Sequence, residues 1–266
     1  MGYGTPPTGC VLAHWDKQHS DATGASALDR AVILHAVQHN YHQPAMQLFI
    51  DSANRDEIRS AAGLGIIAGV TTNPSLLAKE DPTTPVEKII TEIHQIVGGH
   101  ISVEVVSTDT DGMIREAEEI LSWLPEATIK IPMIPAGLAA VARLSQQEIP
   151  TNVTLVFSPV QALAAANAGA TYVSVFLGRL DDAGHDGIGV LEDVAEIWDV
   201  QGIETQIIAA SVRHPMHIVR AAKAGAHIAT VPYKVLMQSL KHPLTDAGLE
   251  AFLRDAAKRQ VQTVTV

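Results

Sequence analysis

Cysteine, basic charge and long apolar runs are all scarce in this chain of 266 residues, and each scarcity excludes a class of protein. The single cysteine cannot form an intramolecular disulfide, which indicates a reducing compartment such as the cytoplasm. The 18 Lys and Arg residues against 29 Asp and Glu give a net charge of −11, whereas a non-specific nucleic-acid binder presents a basic face. No apolar run reaches the ~18–20 residues of a membrane helix, and the first residues lack the layout of a secretion signal. We therefore expect a cytoplasmic globular protein without nucleic-acid or membrane partners.

The first 45 residues differ in composition and apolar pattern from the rest of the chain. They hold the only cysteine, Cys10, and a Gly/Pro/Thr-rich opening, and only residues 27–37 show helix-like apolar spacing. They also contain five of the twelve histidines: His14, His19, His35, His39 and His42. A metal-binding tract is one alternative, but these histidines lack a regular ligand spacing. We expect residues 1–45 to be a poorly ordered N-terminal extension.

From residue 46 onward, short apolar strands alternate with helical patterns. The predicted strands are Gln47–Asp51, Ile66–Val70, Ile101–Val106, Thr128–Ile131, Thr151–Phe157, Thr171–Leu177, Thr205–Ala210 and Ala226–Val231. Between them, apolar residues at i, i+3, i+4 and i+7 predict helices, and Pro159 and Pro215 stand at plausible first helical positions. Eight strand–helix units over about 220 residues predict an α/β fold, a single (β/α)8 TIM barrel formed by residues 46–266. A doubly wound open sheet is the alternative, but no Gly-x-Gly-x-x-Gly motif follows the first strand.

Five of the predicted strands carry polar or aromatic side chains at every second position. Barrel strands are covered on both faces, so an ordinary one is almost entirely apolar. The alternating sets are Gln47 and Asp51; Ser102 and Glu104; Thr128 and Lys130; Asn152 and Thr154; and Tyr172, Ser174 and Phe176. We assign these sets to the barrel interior and the aliphatic residues between them, including Leu155, to the outside beneath the helices. A lone Lys or Glu in a strand is commonly solvated, but a shared pattern makes a functional site the better interpretation.

The interior charges point to Schiff-base chemistry. A desolvated lysine such as Lys130 has a more available free amine, which can attack a ketone or aldehyde to form an imine. Making or breaking a carbon–carbon bond through that imine requires acid–base groups within reach. Glu104, on the preceding strand, and Asp51 are the available carboxyls.

Arginines and a hydroxyl follow the late strands. Arg179 follows the sixth strand, and Ser211 and Arg213 follow the seventh, just before a helix that starts near Pro215. Two guanidinium groups, a hydroxyl and a helix N-terminus together form a plausible phosphate site. Each arginine alone would be an ordinary surface group, but barrels often bind phosphate after their late strands.

Four motifs carry a resemblance to a known family. They are Gly69-Val-Thr-Thr-Asn-Pro-Ser-Leu76, Ile129-Lys-Ile-Pro132, Asn152-Val-Thr-Leu-Val-Phe-Ser158 and Val175-Phe-Leu-Gly-Arg179. In order and spacing, from about residue 46 to the mid-240s, the chain is similar to the transaldolases, and most to the short-chain branch shared with fructose-6-phosphate aldolase. The resemblance does not extend to residues 1–45.

The resemblance also implies roles for individual residues. Lys130 would form the Schiff base with the C2 carbonyl of a ketose phosphate, and Asp51 would handle the hydroxyl proton during bond cleavage. Glu104 and Thr154 would position a water that relays protons. The positions that would hold the dihydroxyacetone fragment are Thr71, Asn73, Ser102, Asn152, Ser174 and Phe176. The positions that would bind phosphate are Arg179, Ser211 and Arg213.

The family reaction moves a dihydroxyacetone unit from sedoheptulose 7-phosphate to glyceraldehyde 3-phosphate, giving erythrose 4-phosphate and fructose 6-phosphate in the non-oxidative pentose phosphate pathway. It implies no metal and no organic cofactor, and it implies a homo-oligomer, often a decamer of two pentamers. Fructose-6-phosphate aldolases carry Gln where Glu104 stands and Tyr where Phe176 stands, so both positions favour transaldolase. The alternatives are a dihydroxyacetone aldolase and a non-catalytic barrel that binds sugar phosphates.

Overall fold

The structure is a computed structural model in which residues 45–263 are described, with side chains described as far as residue 259. The expectations for the N-terminal segment, including its histidines and the helical spacing at residues 27–37, lie outside the described residues. None of the described helices is both long enough and apolar enough to cross a bilayer.

Eight parallel strands close into a barrel in the order of the sequence. They are β1 Gln47–Asp51, β2 Ile67–Thr71, β3 His100–Glu104, β4 Thr128–Pro132, β5 Thr151–Val156, β6 Tyr172–Phe176, β7 Gln206–Ala210 and β8 Ile228–Val231. Because β1 pairs with both β2 and β8, the sheet has no free edge. The predicted barrel is therefore confirmed, and the open-sheet alternative is wrong.

Helices connect the strands around the outside of the barrel. They are α1 Arg55–Ala62, α2 Pro74–Leu77, α3 Val86–Val97, α4 Thr110–Trp123, α5 Pro135–Ser145, α6 Pro159–Asn167, α7 Leu177–Asp182, α8 Gly187–Gln201, α9 Pro215–Lys223, α10 Tyr233–Ser239 and α11 Pro243–Thr263. Proline occupies the first position of α6 and α9, as predicted, where its missing N–H group costs no helical hydrogen bond. The side chain of Ser158 caps α6 by accepting a hydrogen bond from the Gln161 amide.

The strand side chains divide into two packed layers. Aliphatic residues such as Ile50, Val103 and Ile129 are at most 3% exposed and pack outward under the helices. Inside the barrel, a separate apolar cluster is formed by Phe49, Ile208 and Ile228, with Tyr172 packed against it. This cluster is the floor beneath the polar layer.

Gly69 allows close packing beside this apolar cluster, because it has no side chain. A Cβ atom at Gly69 would lie 2.8 Å from the His100 carbonyl oxygen and 3.0 Å from the Phe49 ring. The His100 ring packs against the same cluster, with its centroid 4.8 Å from that of Phe49 and 4.9 Å from that of Tyr172. A larger residue at position 69 would therefore displace the aromatic floor.

One assignment from the alternation is wrong. Leu155 was expected on the outside of β5, but it lines the cavity at the mouth of the barrel, and Val156 is the buried outward residue. The physical reason is an irregularity in the strand: Leu155 has a φ of 60°, and the pairing of β5 with β6 shifts between Val153 and Val156. An inserted residue of this kind interrupts the period of two, so the side chains beyond it change sides.

Candidate active site

A cavity of about 340 Å³ lies at the carboxyl ends of the barrel strands. Eleven of the thirteen predicted site residues line it: Asp51, Thr71, Asn73, Glu104, Lys130, Thr154, Ser174, Phe176, Arg179, Ser211 and Arg213. The carboxyl end of the strands is where barrel enzymes carry their active sites. The other two predicted residues, Ser102 and Asn152, are fully buried beneath the cavity.

Lys130 and Glu104 form a buried ion pair. The Lys130 Nζ atom lies 2.9 Å from Glu104 Oε2, and their side chains are only 6% and 13% exposed. The register of β3 and β4 places the two residues side by side, so the contact follows directly from the strand pairing. Lys130 Nζ also donates a hydrogen bond of 3.0 Å to the carbonyl oxygen of Thr72. Because desolvation of such a pair is costly, its presence suggests a function other than stability.

Asp51 is held by a chain of two threonines. The Thr71 hydroxyl donates to Asp51 Oδ1 at 2.9 Å, and the hydroxyl oxygens of Thr71 and Thr230 lie 2.6 Å apart. Since Thr71 has a single hydroxyl proton, Thr230 must be the donor in the second contact. Burial raises the pKa of Asp51, although the charge of Lys130 and the hydrogen bond from Thr71 act in the opposite direction. A carboxyl with a raised pKa is suited to exchanging protons near neutral pH.

Thr230 was missed from the sequence, although a signal for it existed. It lies on β8, two residues after the interior Ile228, so the same alternation that identified the other strands places it inside the barrel. Its position beside Thr71 depends on barrel closure, which brings β8 back to β1.

A second hydrogen-bonded chain runs downward from the cavity. Ser174 donates to Asn152 Oδ1 at 2.8 Å, and Asn152 Nδ2 donates to Ser102 Oγ at 3.1 Å. The Ser102 hydroxyl is then left to donate to His100 Nε2, which lies 2.8 Å away. This direction requires a neutral imidazole, in agreement with burial, which lowers the pKa of His100 to about 4. Ser102 and Asn152 thus hold Ser174 in place from below.

Two further predicted residues complete the middle of the cavity. The hydroxyl oxygen of Thr154 is buried and has no hydrogen-bond partner among the described residues, so its hydrogen-bonding capacity is unused. The side-chain oxygen of Asn73 accepts the Leu76 amide at 3.0 Å, which fixes the orientation of this amide at the start of α2.

The predicted anion-binding residues lie together at one side of the mouth. The guanidinium carbon of Arg179 is 5.0 Å from the centre of the Phe176 ring, a cation–π distance. Arg213 Nη2 lies 2.9 Å from Asp182 Oδ2 in a pair that is more than half exposed. Ser211, between β7 and α9, has a φ of 56°. Two guanidinium groups near a helix N-terminus form an electropositive mouth in a chain of acidic net charge.

The arrangement can perform amine chemistry with acid–base assistance. It places a buried amine beside one carboxylate, a second carboxyl in the same cavity, and cationic groups at the mouth. No cluster of three or more His, Cys, Asp or Glu side chains suited to a metal ion occurs within the described part of the chain.

Comparison with known proteins places this geometry in a family. Residues 48–265 match the family model described as "Transaldolase/Fructose-6-phosphate aldolase". The chain is 61% identical over 210 residues to a "Probable transaldolase" of Heliobacterium modesticaldum, covering 79% of this chain and 97% of that protein. It is 58% identical over 215 residues to a "Probable transaldolase" of Geobacillus thermodenitrificans, covering 81% of this chain and 100% of that protein. The chain therefore belongs to the transaldolase/fructose-6-phosphate aldolase family.

Proposed function

We propose that this protein is a transaldolase that transfers a dihydroxyacetone unit between sugar phosphates through a Schiff base on Lys130. The observation that carries the proposal is the buried Lys130 amine, 2.9 Å from Glu104 in the cavity that also contains Asp51. The names of the relatives and their identities of 58–61% support the same activity. The donor would be sedoheptulose 7-phosphate and the acceptor glyceraldehyde 3-phosphate, giving erythrose 4-phosphate and fructose 6-phosphate in the non-oxidative pentose phosphate pathway.

The first step is imine formation. Glu104 first takes a proton from the Lys130 ammonium, and the free amine attacks the C2 carbonyl of the ketose. The added nitrogen passes one proton to the C2 oxygen and Glu104 returns the other, so that the oxygen leaves as water and a protonated imine remains. We assign to Thr154 the role of holding that water, because its hydroxyl has no hydrogen-bond partner among the described residues.

The second step breaks the carbon–carbon bond. Asp51 takes the proton of the C4 hydroxyl, the C3–C4 bond breaks, and its electron pair moves into the imine to give an enamine. The aldehyde product leaves from C4 onward. The enamine then attacks the carbonyl carbon of the acceptor, Asp51 returns its proton to the new alkoxide, and hydrolysis of the imine frees Lys130.

The remaining residues orient the substrate. Asn73 and Ser174 would contact the hydroxyl groups of the dihydroxyacetone fragment, with Phe176 packed beside them and Asn152 and Ser102 supporting Ser174 from below. The residues proposed to bind the phosphate are Arg179, Ser211 and Arg213.

A dihydroxyacetone aldolase is the second candidate, but two side chains disfavour it. Glu104 supplies a carboxylate for imine hydrolysis, and Phe176 has no hydroxyl to protonate the enamine and release free dihydroxyacetone. In an aldolase, free dihydroxyacetone would form efficiently from fructose 6-phosphate without an acceptor.

A turnover assay tests the proposal. Fructose 6-phosphate and erythrose 4-phosphate should give sedoheptulose 7-phosphate and glyceraldehyde 3-phosphate, and Lys130→Ala should abolish the reaction. Lys88→Ala is the matched control, because Lys88 is 65% exposed on α3 and lies outside the site. Binding of fructose 6-phosphate without turnover would instead support a non-catalytic barrel.

We also propose that residues 46–266 form the catalytic domain of a cytoplasmic homo-oligomer, as the family resemblance implies. Apolar side chains on α11 support a subunit contact there, since Leu244, Leu249, Phe252 and Leu253 are 57–75% exposed. Light scattering should give the mass of an oligomer for the native chain and a lower mass for Phe252→Glu. A monomeric native chain would contradict this proposal.

A further inference from the structure

A buried histidine connects the two segments that carry the arginines of the cavity mouth. His217 lies in the first turn of α9, and its side chain is only 3% exposed. Its Nδ1 atom lies 3.2 Å from the backbone nitrogen of Arg213, which donates the hydrogen bond. Its Nε2 atom lies 2.8 Å from Asp181 Oδ2 on α7. The same helix carries Arg179, so the histidine links one arginine's helix to the other arginine's backbone.

These contacts define the protonation state of the ring. Because Nδ1 of His217 accepts the Arg213 amide, it carries no proton, and Nε2 must donate to Asp181. The second oxygen of Asp181 accepts the backbone amide of Gly187 at 3.0 Å, which ties it to α8. Burial and the nearby His214 lower the pKa of His217, while Asp181 raises it and Arg220 lowers it further. Protonation of Nδ1 would place two N–H groups against each other and break the contact with Arg213.

The segment that His217 holds has a strained backbone. Ser211 adopts a φ of 56°, which costs free energy for a residue with a side chain and persists only where neighbouring contacts enforce it. One such contact is the hydrogen bond from the Gly178 amide to the Ser211 carbonyl oxygen at 3.0 Å. The other is the hydrogen bond that the Arg213 amide donates to His217 Nδ1. A Cβ atom at Gly178 would collide with both the Ser211 carbonyl and the Arg213 side chain, so the two segments are in close contact.

We propose that His217 is a positioning residue for substrate phosphate, because it fixes the backbone of Arg213 against α7 and so sets its guanidinium opposite Arg179. This inference rests on the proposed function of the two arginines. The exposed pair between Arg213 and Asp182 cannot serve the same purpose, since solvent screens it and leaves the backbone free. Loss of the histidine should therefore weaken binding of phosphorylated substrates and spare those without phosphate.

The test compares ligands with and without phosphate. His217→Phe keeps a ring of similar size and removes both hydrogen bonds. It should raise by about tenfold the concentration of fructose 6-phosphate that gives half-maximal borohydride trapping. The Kd of inorganic phosphate, measured by calorimetry, should rise by the same factor. Trapping of dihydroxyacetone by borohydride, which requires the lysine but no phosphate site, should change by less than about twofold.

Three further variants separate positioning from general damage. His217→Asn retains an acceptor for the Arg213 amide and should recover most of the phosphate affinity. His217→Phe in an Arg213→Ala background should add nothing, since the histidine acts through that arginine. His94→Phe is the control, because His94 also pairs with a carboxylate, Glu126 at 2.7 Å, but lies on α3 away from the site.

Several results would overturn the inference. These are an unchanged phosphate affinity in His217→Phe, an equal loss for phosphate-free ligands, or additive losses in the double variant. If His217→Phe does not fold, Asp181→Asn weakens the same link and should raise the Kd of phosphate about threefold. Failure of the wild-type protein to trap either ligand would instead refute the proposed Schiff base, while the phosphate measurement would still report on His217.

Discussion

Glu104 Oε2 and Lys130 Nζ lie 2.9 Å apart on adjacent strands, in a layer of the barrel that water barely reaches. The contact is the direct result of strand register, since β3 and β4 place these two residues opposite each other. A proton can pass between the two groups without movement of the backbone. The ion pair is therefore both a structural consequence of the barrel and the expected starting point of the chemistry.

We expect Glu104→Gln to lower kcat by about a hundredfold, because an amide can hold the amine but cannot accept its proton. The rate of borohydride trapping with fructose 6-phosphate should fall in parallel, as measured by rapid quench. Glu92→Gln is the control, since Glu92 is 38% exposed on α3. An unchanged trapping rate in Glu104→Gln would show that the carboxylate does not take part in imine formation.

Thr230→Val should change the pKa of Asp51, although Thr230 contacts Thr71 and not Asp51 itself. Without a donor from Thr230, the Thr71 hydroxyl is free to turn away from Asp51, and loss of that hydrogen bond raises the pKa of Asp51 further. The acid limb of the kcat/KM profile should move to higher pH, and kcat should fall about fivefold. Thr230→Ser should restore both. If the limb stays in place in Thr230→Val, the threonine chain does not control Asp51.

His100 should make the fold less stable in acid. Its pKa is lowered from 6.5 to about 4 by burial, so the unfolded chain binds a proton more readily than the folded one between these values. The free energy of unfolding should therefore fall as the pH decreases through that window, by about 2 kcal/mol from pH 7 to pH 4.5 for this residue. Urea unfolding at both pH values measures it. His100→Gln should lose less stability over this interval, and an equal loss in both proteins would contradict the assignment.

The fold and most of the cavity could be predicted because barrel strands obey a period of two. Asp51, Glu104 and Lys130 all stand at interior positions of that alternation, and barrel closure brings them together. Thr230 follows the same rule and could have been found by it. Leu155 could not, because the irregularity in β5 has no signature in the sequence pattern.

His100 shares the parity of Ser102 and Glu104 on β3, so the alternation could also have placed it inside the barrel. His217 lay beyond sequence reasoning for a different reason, since it acts through a contact between elements that are distant in sequence, with Asp181 on another helix. The alternation of a single strand or the capping of a single helix carries no information about such pairs. Only the packed structure identifies them.

The most direct test of the account is the site of covalent capture. The protein is incubated with fructose 6-phosphate, reduced with borohydride, digested and analysed by mass spectrometry. We predict a dihydroxyacetone-derived adduct on Lys130 and none in Lys130→Ala. An adduct on a different lysine, or no adduct in the native protein, would contradict the central claim.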